Sequence, residues 1–126
     1  MSFTYEPKIT TVADIENEPF FPALSYGLFI RSYRIPSQIQ QDVISNQLIL
    51  SMGTVNRELV SFQAEQEAKG CPSLENVPAA QIGGTSLLMR HYFNAVYNHA
   101  KASLLENMAS ISRASSSNNL QEITAQ

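Results

Sequence analysis

Two stretches of this chain repeat apolar side chains every three to five residues, one from about Ser37 to Lys69 and one from about Ser86 to Ser110. That period lays one face of a helix against a core. In a chain of 126 residues it leaves little room for another architecture. No segment alternates apolar and polar positions long enough to propose a sheet. The fold class expected is all-α: two long, roughly antiparallel helices, a short helix across one end, an extended N-terminal arm and a flexible C-terminal arm.

In the first stretch, Ile39, Val43, Ile44, Leu48, Met52, Val55, Leu59 and Phe62 carry the repeat. Ser37 and Gln40 match a capping box at its start. At 1.5 Å per residue the helix would reach about 48 Å, long for a domain of this size. Gly53 sits in its middle, costs about 1 kcal/mol relative to alanine, and marks the place for a bend, a close approach or a division into two. Gly70 stops the helix and Pro72 follows. Ser73 to Pro78 reads as one helical turn, and Gln81 to Gly84 as a turn without the glycine spacing of a phosphate loop. In the second helix, Leu88, Tyr92, Val96, Ala100, Leu104, Met108 and Ile111 form one stripe, with Met89, Phe93 and Tyr97 beside it. Large side chains over so much of the circumference imply a second contact surface beyond the core, such as another copy of the chain.

Outside these helices the chain divides into an acidic arm over 1–24, a helical domain over 25–111 and a C-terminal arm over 112–126. Pro7, Pro19 and Pro22 keep the first arm extended, and Thr11 to Asp14 could start one helical turn. Phe20-Phe21-Pro22 either plugs the end of the core or anchors in a neighbouring subunit. Ser25 caps a short helix over about 26–34, with Tyr26, Phe29, Ile30 and Tyr33 on its apolar side. In the last arm, Ser115-Ser116-Ser117-Asn118-Asn119 cannot form a core. Beyond that run, Leu120 and Ile123 make a small amphipathic peptide at the end of a tether.

Charge excludes several functions. The net charge is −3 and only 15% of residues are charged. Glu6, Asp14, Glu16 and Glu18 against Lys8 supply that excess, and the remaining charges cancel. An acidic strip on a neutral body does not grip phosphates. A surface in which serine, asparagine and glutamine replace charge suits contact with other proteins. The N-terminus does not read as a signal peptide, and no apolar run approaches the roughly 20 residues of a membrane span. With the single cysteine, Cys71, this points to a soluble protein of a reducing compartment, without an internal disulfide or a cysteine-built zinc site.

No catalytic constellation emerges. His91 and His99 are eight residues apart, whereas a helical metal pair needs three or four. Cys71 lacks a basic neighbour closer than Lys69 to activate its thiol. Glu58 and Glu106, within apolar helix sequence, suit ion pairing or solvent better than acid–base work. Arg31 and Arg34, with Arg57, are too few for a nucleic-acid face. No enzyme, cofactor or metal function is expected.

Four stretches in order carry a family resemblance: Phe20-Phe21-Pro22, Val55 to Leu59, Leu74 to Ala79, and Ala95 to Glu106. Together, over about residues 10–110, they resemble the head-completion (gpL-type) proteins of contractile-tailed bacteriophages, a branch of the head–tail connector adaptors. The chain departs from the family pattern after Glu106, where Asn107 to Arg113 lacks the aromatic and acidic stretch ending near a glycine. The resemblance implies a virion structural protein at the head–tail junction, assembled in the host cytoplasm. It implies a homo-oligomeric ring, usually of twelve copies, under the portal protein. Such a ring extends the DNA channel without specific DNA binding and meets a neck or tail-completion protein. It makes 112–126, through Leu120 and Ile123, the candidate portal-docking arm. Phe20, Phe21, Arg57, Tyr92 and Tyr97 are the expected packing or subunit contacts. The competing reading is a small helical dimeric regulatory or toxin–antitoxin-type protein.

Overall fold

The computed structural model describes residues 14–124, and their side chains as far as Ala114. The proposed turn at Thr11 to Asp14 and the arm around Pro7 lie, but for Asp14, outside the described residues, as do the side chains of Leu120 and Ile123.

Four helices dominate: α1 (Tyr26–Ser32), α2 (Gln41–Glu58), α3 (Val60–Ala68) and α4 (Leu87–Thr124). The Ser25 hydroxyl accepts from the Leu28 amide at 3.1 Å and caps α1 as expected. That helix ends where Arg34 takes φ +51° and the Ile35 amide reaches back to the Ile30 carbonyl at 3.3 Å. This is a Schellman end with arginine in the left-handed place that glycine usually fills. Gly70, at φ +91°, closes α3 in the same manner, with the Cys71 amide donating to the Gln66 carbonyl at 2.9 Å.

The expected helix over 37–69 is two helices. Ser37 does not cap it: Pro36 to Ile39 form a turn, and α2 begins at Gln41 without a side-chain cap. Nor does Gly53 interrupt it. The break falls at Leu59, whose φ of −98° and ψ of 8° leave the helical range. Leu59 and Phe62 still pack against the core from partly buried positions, while α3 buries no residue completely. A single off-helix residue therefore redirects the chain while keeping these two side chains on the core.

A small hairpin corrects the all-α expectation. Strands β1 (Gln81–Ile82) and β2 (Thr85–Ser86) pair antiparallel, Gln81 opposite Ser86 and Ile82 opposite Thr85. Gly83 and Gly84, at φ +66° and +80°, supply the two positive angles of a tight primed turn. Two-residue strands are too short to show alternation, so only the turn is visible in sequence. Arg90, one turn into α4, holds the hairpin by donating to the Ile82 and Gly83 carbonyls at 3.2 and 3.0 Å.

The core lies mainly between α2 and α4. Ile44, Leu48, Met52 and Val55 face Tyr92, Val96, Tyr97, Ala100 and Leu104, with Phe29 from α1 and Leu74 and Val77 from the 3-10 turn Leu74–Asn76. Among the described residues, Leu104 is the last of α4 to be buried, yet the helix continues to Thr124, past the end expected at Ser110. Ile111 continues the core stripe and is 70% exposed.

Candidate interaction surface

The described part of the N-terminal arm is fastened to the helical body. Ile15 and Leu24 exchange backbone hydrogen bonds of 2.8 and 2.9 Å, closing a loop that tips Phe20, Phe21 and Leu24 into the core. The Phe20 carbonyl accepts from the Leu74 amide at 2.8 Å, tying the loop to the 3-10 turn. Phe21 stacks on Tyr92 with centroids 4.9 Å apart, and Phe29 stacks on Tyr97 at 5.5 Å. Offset aromatic pairs of this kind add about 0.5–1.5 kcal/mol beyond the area they bury.

Beneath the loop is a closed polar triangle. Asn17 donates to the Tyr92 hydroxyl at 2.7 Å, Tyr92 donates to Asn56 Oδ1 at 2.6 Å, and Asn56 donates back to Asn17 Oδ1 at 2.9 Å. Asn17 also donates to the Pro22 carbonyl at 2.8 Å. Three separate segments are thus joined by bonds that polarise one another. No described buried side-chain nitrogen or oxygen lacks a partner. Burial is the main cause that pushes the Tyr92 hydroxyl up to about 12; the hydrogen bond from Asn17 opposes it, the nearby Glu18 charge adds to it, and the bond with Asn56 opposes it. The Tyr97 hydroxyl, also pushed up by burial, accepts from the Ser25 amide at 2.9 Å.

Ser51 Oγ lies 2.8 Å from His99 Nδ1, a spacing at which a nucleophile and its base can meet. Ser51 is fully buried and also accepts from Gln47 at 3.1 Å, so the pair fastens α2 to α4 and offers no accessible nucleophile. His91 is exposed and no cluster of metal-ligating side chains occurs among the described residues. Glu58, Glu106, Arg31 and Arg34 are exposed, and Cys71 is partly buried. Of the expected contact residues, Phe20, Phe21, Tyr92 and Tyr97 are buried within the single chain, and Arg57 alone faces solvent. Asn17, which organises the arm with Asn56, escapes composition and motif reading; Asn56 lies in the quoted stretch Val55 to Leu59, which assigns it no role. A further signal is that Asn56 falls beside Met52 and Val55 on the buried side of α2.

Part of what remains outward is apolar. Val43, Ile49, Leu50, Val60, Ile82, Leu105 and Ile111 are large aliphatic side chains left exposed. A groove of about 400 Å³ runs between Val55, Leu59, Phe62, Leu74, Leu88 and Ala95, with Glu58 and His91 also lining it. Such surfaces suit protein contacts better than a small-molecule reaction.

The family described as phage head completion protein (GPL) matches residues 15–126. The chain belongs to this phage head-completion family. No curated protein and no solved structure matches it. Membership gives the chain a structural role in the virion among other phage head and tail proteins, in a family that is generally non-enzymatic. No helix among the described residues is long and apolar enough to cross a membrane.

Proposed function

We propose that this head-completion protein is a head–tail connector adaptor, assembling as a ring, of about twelve copies by the family resemblance, under the portal. In that place it extends the DNA channel and joins the filled capsid to the neck or tail-completion protein. The observation carrying this reading is the family match over residues 15–126. The pairings Ser51–His99 and Asn56–Tyr92 support an antiparallel α2 and α4, a slab suited to a ring wall. A net charge of −3 suits a channel through which DNA slides without being held. Of the expected subunit contacts, Arg57 is the one on the surface.

In this reading residues 112–126, with Leu120 and Ile123, are the portal-docking arm. Supporting this, Leu104 is the last described residue of α4 to be buried, and the helix runs on to Thr124. Removing residues 112–126 is expected to weaken binding to purified portal rings at least tenfold while preserving the fold. Portal binding unchanged by the truncation would contradict the arm assignment. Electron microscopy of the full chain with portal rings tests the adaptor reading, which expects an added layer of density on the portal.

A further inference from the structure

The face of α2 turned away from the core presents Asp42, Asn46, Ile49, Leu50, Gly53 and Arg57 within one helical stripe. Ile49 is 52% and Leu50 56% exposed, so no described part of the chain covers the middle of this stripe. Gly53 lies in the stripe one turn beyond Ile49, in an unbroken helix, where glycine costs about 1 kcal/mol relative to alanine. A Cβ at Gly53 would meet nothing within 4 Å, so the described chain itself gives no reason for a glycine there. A glycine flanked by Ile49 and Leu50 is what close approach by a second helix requires.

The charges say which helix. Asp42 stands in the first turn of α2 and Arg57 in the last, and neither forms an ion pair among the described residues. The midpoint between them falls between Ile49 and Leu50. If a second α2 lies antiparallel about that midpoint, Asp42 of each copy meets Arg57 of the other at both ends. The aliphatic pair then meets its own copy at the centre. The stripe is therefore self-complementary in charge and in apolar character, the requirement of a two-fold contact.

We propose that the outward face of α2 pairs antiparallel with α2 of a second copy, forming a two-fold dimer of the unassembled chain. A two-fold contact closes on two copies and builds no ring, so this dimer is separate from the ring contact. It stands or falls independently of the adaptor reading. The contact is a single helix pair, below the size of a typical stable interface, and its association is reversible with concentration.

Sedimentation velocity of the full chain over a wide concentration range tests it. A monomer–dimer equilibrium is expected. Arg57→Asp should weaken it about tenfold, because symmetry places the like-charge pair at both ends. Combining Asp42→Arg with Arg57→Asp in one chain should restore it, since each reversed charge again finds its opposite. Gly53→Leu should abolish pairing while leaving the far-ultraviolet helical signal intact, because the site is open in the single chain. A chain monomeric throughout, a dimer indifferent to Arg57→Asp or Gly53→Leu, or a double reversal as weak as the single one would overturn the proposal. Portal binding of Gly53→Leu, which alters none of the expected ring contacts, reports separately on the adaptor reading; Arg57 is itself one of those contacts, so Arg57→Asp is read for the dimer alone.

Discussion

At the residue scale, the hydroxyl of Tyr92 is the hub of the fold. It is the one atom bonded to both Asn17 of the arm and Asn56 of α2. Tyr92→Phe keeps the stacking on Phe21 but leaves the Asn56 carbonyl oxygen without its donor. A buried acceptor so orphaned costs about 1–3 kcal/mol, and urea unfolding should show that loss. The same hydroxyl sets the behaviour at high pH. Its pKa is raised in the folded chain from 10.0 to about 12, so the folded state holds the proton more tightly than the unfolded state. Below pH 9 both states are protonated and Tyr92 contributes no pH dependence. Stability should then fall as pH rises from about 10 to 12, by roughly 2–3 kcal/mol, and Tyr92→Phe should flatten that decline. Gly53→Ala should raise monomer stability by about 1 kcal/mol in thermal or urea unfolding at low concentration, because the added methyl meets open space.

At the element scale, sequence periodicity reveals the principal helices and most of the core, since Ile44 to Val55 and Tyr92 to Leu104 each lie on one helical face. It does not reveal the break at Leu59, which involves one residue's backbone angles and changes no spacing. The glycine with the larger propensity cost, Gly53, is the wrong place for it. Ser115 to Asn119 cannot form a core by composition and is expected to be flexible; α4 passes through it to Thr124. Local propensity is a weak prior there, against a helix already nucleated by the packed segment from Leu87 to Leu104. Phe20 and Phe21 stand out in sequence as a pair of large apolar groups, but whether they fill the chain's own core or a neighbour's depends on the loop closed by Ile15 and Leu24. That closure rests on two backbone bonds and on Asn17, none of which leaves an apolar pattern. Phe21→Ala should cost about 3–5 kcal/mol, a large share of the stability of a small domain, and should be seen in a lowered unfolding midpoint. Removing residues 112–126 should leave that midpoint nearly unchanged, because α4 buries no side chain described beyond Leu104.

At the scale of the whole molecule, the described core mixes aromatic and aliphatic side chains, and a further set of large aliphatic ones is turned outward. Phe21 stacks on Tyr92 and Phe29 on Tyr97 within that core, while Ile49, Leu50, Val60 and Ile111 face solvent. Apolar side chains left outward suit a virion structural protein that meets other phage head and tail proteins. The adaptor reading rests on the four quoted stretches; periodicity and charge only permit it. The family match over residues 15–126 fixes the family; the ring and its partners belong to the proposal. Native mass spectrometry of the full chain mixed with assembled portal rings tests that proposal most directly. The account predicts a complex carrying about one copy of the chain per portal subunit. Portal rings that remain bare, at chain concentrations where it is folded and in excess, would contradict it.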